Sequence, residues 1–109
     1  MRAIEAGLRF LTQMGVKYIF GIPAGSINAL YDAMLDIPEL KPIVVKHETS
    51  AGYMAAAYTR ITGIPSVCVG SSGPGATNLV TAAANAWVEK LPVLFIYRLR
   101  PFDQAGERR

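Results

Sequence analysis

Glu48 is the residue best placed to do chemistry in this sequence. It follows the apolar run Ile43-Val44-Val45 and the pair Lys46-His47, and no lysine or arginine stands four residues on to neutralise it. A carboxylate in such a place tends to be desolvated and is suited to sharing a proton as well as carrying charge. The competing role is a plain helix-capping carboxylate. His47 is the single histidine, and Ala51 stands where an H-E-x-x-H zinc motif needs its second histidine. Metal chelation and histidine-based triads therefore lack parts, and His47 is expected to hydrogen-bond locally at a strand end. Cys68, the only cysteine, lies in an apolar run. It offers neither a disulfide framework nor a zinc site, and a buried, inert thiol in a reducing compartment is expected.

Gly70-Ser71-Ser72-Gly73-Pro74-Gly75-Ala76-Thr77 approaches the phosphate-loop pattern G-x-x-x-x-G-K-[ST], with Ala76 in place of the lysine. Without that charge a nucleotide triphosphatase is not supported. The glycines still admit close backbone approach, and a helix start would offer free N–H groups. The bland alternative is a tight strand-to-helix turn. Asn78, one turn further on, faces either solvent or the cleft. Tyr58 and Trp87 are expected to pack on a sheet or at a subunit interface.

These residues need elements to hold them. Ile4, Leu8, Leu11 and Met14 share one face of a helix over 2–14, which Gly15 stops. Residues 16–20 read as a strand. Gly21 to Gly25 form a loop, and Ser26 is expected to cap a helix buried through Ile27, Leu30, Tyr31, Met34 and Leu35. Pro38 to Pro42 turn the chain into strand 43–45. Thr49 or Ser50 is expected to cap a third helix with a stripe of Ala51, Met54, Ala55, Tyr58 and Ile61, closed by Gly63. Strand 66–69, a helix over 76–89 and strand 92–97 complete the pattern. The fold class is α/β: an open parallel sheet with helices on both faces. Right-handed crossovers gather the three loops 21–26, 47–49 and 70–77 at one sheet edge, where such folds bind ligands.

Hydrophobic residues make up 51% and charged residues 17% of 109 residues, which suits one core and excludes a disordered chain. Residues 1–89 carry six cations and six carboxylates, so the net charge of +3 lies wholly in 90–109. A neutral body with a basic tail does not suit nucleic-acid binding. Residues 61–88 hold no charge, yet Ser71-Ser72-Gly73-Pro74-Gly75 divides them, so no membrane span is read there. Glu5 and Arg9 interrupt any signal-peptide layout, and a cytoplasmic setting is expected.

Three ordered segments resemble one family. Gly21-Ile22-Pro23-Ala24-Gly25-Ser26, then Lys46-His47-Glu48 with Met54 to Arg60, then Ser72-Gly73-Pro74-Gly75-Ala76-Thr77-Asn78 are similar to the N-terminal pyrimidine-binding domain of thiamine-diphosphate-dependent enzymes, in the acetolactate synthase and pyruvate oxidase branch. The resemblance covers about residues 2–97. It implies the thiamine-diphosphate-binding fold and enzymes acting on 2-oxo acids by decarboxylation and carboligation. Glu48 matches the glutamate that bonds a ring nitrogen of the cofactor's aminopyrimidine and starts the proton relay to the thiazolium C2. Pro23 and Gly25 match the first loop beside the cofactor. Ser71, Pro74 and Asn78 match the second loop, which lines the aminopyrimidine pocket.

Departures from the family pattern set further expectations. There is no G-D-G with a distant Asn-Asn pair, so Mg²⁺ and the diphosphate are expected on a partner domain or subunit of the diphosphate-binding type, in a homo- or hetero-oligomer. Residues 1–97 then form a pyrimidine-binding domain that is incomplete at its C-terminal end. Residues 98–109 form a basic irregular tail, and the lone chain is expected to be inactive. The alternative is a non-catalytic binding or subunit-interaction domain with the same fold.

Overall fold

The protein is described by a computed structural model over residues 3–97, the side chain of Ser26 excepted. Helix α1 spans Ala3–Gln13 and buries Leu8, with Ile4 and Leu11 packed beside it. It ends where the N–H of Val16 reaches the carbonyl of Leu11 and the N–H of Gly15 reaches that of Thr12, a pairing that satisfies the last carbonyls. Strand β1 is Tyr18–Gly21. A 3₁₀ turn, Gly25–Ile27, leads into α2, Asn28–Met34. Strand β2 is Lys41–Val44, and α3 is Glu48–Thr62, closed by left-handed Gly63. Strand β3 is Ser66–Gly70. The short helix α4, Pro74–Thr77, precedes α5, Val80–Glu89, and β4 is Val93–Tyr97.

All four strands run parallel in the order β2-β1-β3-β4. Gly21, the last residue of β1, pairs with Val44 on one side and Val69 on the other. The chain moves outward from β1 to β2, then returns across it to β3. This reversal of direction beside β1 is the topological switch point at which open α/β sheets hold ligands.

Alternation along the strands divides the core. Ile19, Val67 and Val69 point to the α1–α2 side and pack with Leu8, Leu30, Met34 and Ile37. Phe20 and Cys68 point the other way, to Ala51, Ala55 and Leu79. Tyr58 closes this second layer against Tyr18, ring edge to face, with centroids 5.5 Å apart. Thr59 and Ser66 are buried but satisfied. Ser66 Oγ donates to the Ala55 carbonyl at 2.8 Å and lies 2.7 Å from Thr59 Oγ1, so the Thr59 hydroxyl is the donor of that pair.

Several expectations need correction. Ser26 lies inside the 3₁₀ turn, whose cap is Ala24, and α2 is capped by Ile27; neither supplies a side-chain cap. The cap of α3 is His47 rather than Thr49 or Ser50. Met14 and Leu35 are exposed, and Pro42 lies within β2, where an edge strand tolerates the missing N–H. The buried face of α3 is Ala51, Gly52, Ala55, Ala56 and Thr59, while Met54 and Ile61 face outward. The reason is steric. A Cβ on Gly52 would collide with the Cβ of Ala82 on α5, so only small side chains fit between α3 and its neighbours. The helix expected over 76–89 begins at Pro74 and breaks at Asn78-Leu79. The tail 98–109 lies outside the described residues.

Candidate functional site

Glu48 owes its position to His47. After β2 the backbone of His47 is extended, and its Nδ1 accepts the N–H of Thr49 at 3.1 Å. This caps α3 and sets Glu48 in the first helical turn, where a carboxylate is favoured by the helix dipole. The local hydrogen bond expected of His47 is therefore present.

Across the sheet edge, β3 hands the chain to a tightly folded loop. A Cβ on Gly70 would lie 2.5 Å from the Gly75 carbonyl oxygen, so the loop folds back onto the strand end only because position 70 is glycine. Gly73, with φ +69°, caps α4, and Pro74 takes its first position. The N–H groups of Ala76 and Thr77 are both spent on the Gly73 carbonyl, and Pro74 has none. The free helix-start donors expected for a phosphate are thus largely consumed, which corrects the phosphate-cradle reading.

The two loops are joined by Asn78. Its Nδ2 donates to Glu48 Oε1 at 3.0 Å, and its carbonyl accepts from Thr49 Oγ1 at 2.6 Å. The second carboxylate oxygen, Oε2, lies 3.6 Å from the point a Gly75 Cβ would occupy, and that point is 3.0 Å from Ser71 Cβ. Glu48, Ser71 and Asn78 are each half-buried. Among the sequence-derived candidates, these three come together around Gly75, with Pro74 exposed beside them. Pro23 and Gly25 lie exposed on the same edge, after β1, and the hydrogen bonds of Glu48 and Asn78 do not involve them. Thr49 and Gly75 belong to the constellation too. The partner of Thr49 stands 29 residues away in sequence, so only the pairing of α3 with the Asn78 break reveals its part.

The charge of Glu48 is felt behind it. Burial, and secondarily the Glu48 carboxylate, push the Cys68 thiol up to about 12. Cys68 is a fully buried free thiol, as its apolar setting suggests. Tyr31, also raised to about 12 chiefly by burial, holds its hydroxyl out of solvent without a hydrogen-bond partner, beside Gly21 at the end of β1.

A carboxylate and an amide are thus held together at the switch point of a parallel sheet, beside a glycine whose missing side chain lets Ser71 and the carboxylate close on it. The sequence profile described as thiamine pyrophosphate enzyme, N-terminal TPP binding domain, matches residues 1–109. The chain belongs to this family. It is 45% identical over 92 residues to an acetolactate synthase of Mycobacterium bovis, covering 84% of this chain and 15% of the relative. It is 42% identical over 99 residues to the acetolactate synthase isozyme 1 large subunit of Escherichia coli, covering 91% of this chain and 18% of the relative. A probable acetolactate synthase large subunit of Methanocaldococcus jannaschii is 44% identical over 94 residues, covering 86% and 16%. The chain thus spans less than a fifth of the length of these relatives. It is a thiamine pyrophosphate enzyme N-terminal domain of the acetolactate-synthase-like kind, on the α/β fold expected of it. No helix among the described residues is long and apolar enough to cross a membrane. No group of three or more His, Cys, Asp or Glu among them is clustered to hold a metal ion.

Proposed function

We propose that this domain forms the aminopyrimidine-facing wall of a thiamine diphosphate site in a cytoplasmic, acetolactate-synthase-like enzyme acting on 2-oxo acids. The observation that carries the reading is the placement of Glu48 at the sheet's switch point: Asn78 fixes Oε1, while Oε2 lies against Gly75 of the second loop. A carboxyl positioned in this way suits a basic ring nitrogen of a heterocycle, because it can hold or pass a proton there. When bound, thiamine diphosphate supplies a nucleophilic carbon and an electron sink for decarboxylation and carboligation.

The protein's own part is positional and protonic. His47 and the start of α3 aim Glu48, and Asn78 holds one carboxylate oxygen so that the other is presented. Ser71 and Pro74 line the second loop, and Pro23 and Gly25 stand across the edge on the first. Mg²⁺ and the diphosphate belong to a partner domain or subunit, so the lone chain consumes no pyruvate. A non-catalytic subunit-interaction domain is the second reading, favoured by the apolar outer face of α3 and α5.

The test joins residues 1–97 to the remainder of an acetolactate synthase large subunit and follows deuterium exchange at the cofactor's C2. Glu48→Gln should slow exchange by about 100-fold, with cofactor affinity less affected. Exchange at the parental rate would remove Glu48 from the relay.

A further inference from the structure

Thr49 is held at both ends, and one of its holders can take a proton. Its N–H donates to His47 Nδ1 at 3.1 Å, and its hydroxyl donates to the Asn78 carbonyl at 2.6 Å. Asn78 Nδ2 in turn donates to Glu48 Oε1 at 3.0 Å. The ring of His47 is therefore the outer end of a series of hydrogen bonds that runs through Thr49 and Asn78 to the Glu48 carboxylate. A nitrogen that accepts an N–H carries no proton, so the neutral ring keeps its own on Nε2. His47 is exposed at the sheet edge, where water can deliver a second proton.

We infer that His47 is a proton-operated clasp on Glu48: the neutral ring holds the first turn of α3 closed, and the imidazolium releases it. Valence is the first argument. An imidazolium has a proton on both nitrogens and nothing left to accept with. The His47 carbonyl still accepts from Ser50 and Ala51, at 3.1 and 3.3 Å, so α3 persists while the Thr49 N–H loses its ring partner. The helix is the second argument. His47 caps the positive end of α3, where a cation is unfavourable. The surroundings are the third. Lys46 precedes the ring and Glu48 follows it, opposed in sign, and neither gives Nδ1 back its lone pair. On the packed elements, residues 18–31, 61–88 and 93–97 hold no charged side chain, and Arg60 and Glu89 pair at the far end of α3. The other titratable groups there are Tyr18, Tyr31, Cys68 and Tyr97, with Tyr53 and Tyr58 on α3 itself. Phenols ionise near pH 10 or above, and burial pushes the Cys68 thiol up to about 12. Between pH 8 and 5, where histidine changes charge, the ring is thus the group that switches. What the clasp means for a cofactor rests on the proposed role of Glu48, but the clasp is tested with no cofactor present, so the two fail separately.

His47 is the only histidine, so its ring signals in nitrogen NMR of the 109-residue chain are unambiguous. At pH 8 the ring should carry its proton on Nε2 and leave Nδ1 bare. His47→Asn places an amide oxygen where Nδ1 stands, and asparagine is a strong cap that takes no proton. From pH 8 to pH 5, the folding constant of the parent divided by that of His47→Asn should fall about fivefold, the worth of such a cap. The fall runs towards acid because the bond exists only in the neutral ring. His47→Ala, uncapped at every pH, should lose about fivefold at pH 8 and approach the parent at pH 5. The side-chain amide signals of Asn78 should move with the ring titration in the parent and not in His47→Asn. A proton on Nδ1 at pH 8 would overturn the inference. So would a parent and His47→Asn with the same pH dependence, or Asn78 signals indifferent to the ring.

Discussion

Replacing Gly52 by alanine probes how closely α3 and α5 approach. In an open helix the change is favourable, by about 1 kcal/mol of propensity. At Gly52 the added Cβ would collide with the Ala82 Cβ, lie 3.7 Å from its Cα and 3.5 Å from the Phe95 ring. Neither methyl can rotate aside, because each is fixed to its own backbone. The helices must part, and Ala51 and Ala55 then loosen on the sheet. A clash between two fixed methyls belongs at the upper end of the about 1–3 kcal/mol that overpacking costs, so a net loss of about 2 kcal/mol remains after the propensity gain. Urea unfolding followed by circular dichroism, at one fixed protein concentration, reads this as a lowered midpoint at constant slope. In melting temperature the loss is about 4–8 °C per kcal/mol for a domain of this size. Gly7→Ala is the matched control. Gly7 is exposed on α1 with nothing within 4 Å of its would-be Cβ, so it should gain about 0.5–1 kcal/mol. Adding Ala82→Gly to Gly52→Ala should recover most of the loss. If Gly52→Ala proved as stable as the parent, the close helix contact would be refuted.

Two further outcomes follow from buried groups. Cys68 stays protonated in the fold to about pH 12, while in the unfolded chain it ionises from about 9. Unfolding therefore releases a proton in that window, and stability should fall by up to about 1.4 kcal/mol per pH unit above pH 9, with Tyr31 acting in the same direction; Cys68→Ala should flatten the slope in urea titrations. Ser66→Ala strands the Thr59 hydroxyl and should cost about 1–3 kcal/mol, whereas Thr59→Val removes the donor itself and should cost about 1 kcal/mol or less. Equal losses in calorimetry would contradict the assigned proton direction.

The element order was legible because strands such as Ser66–Gly70 are short apolar runs between turn residues, and each helix carries an apolar period. The sheet edge bearing the loops after β1, β2 and β3 follows from that order alone. The inward face of α3 was legible only in part: Ala51, Ala55 and Tyr58 face the sheet as expected. Hydrophobicity favours Met54 and Ile61 as further core residues, but the tight space takes Gly52, Ala56 and Thr59 in their stead. The cap of α3 was missed because histidine is an unusual acceptor there, and Thr49 turned its hydroxyl to Asn78 instead. At the site, Glu48 and the second glycine loop could be named from residue type and position. Their mutual contact could not, since it spans 30 residues of sequence and depends on the helix break at Asn78.

That break has an evolutionary consequence. Thr49 and Glu48 grip Asn78 from both sides, so the unit containing β2 and α3 is latched to the unit that follows β3. Neither module can drift in register without unfastening the other. Recombination between homologues should therefore succeed when residues 41–90 travel as one cassette, and crossovers that separate the latch from its catch should be purged.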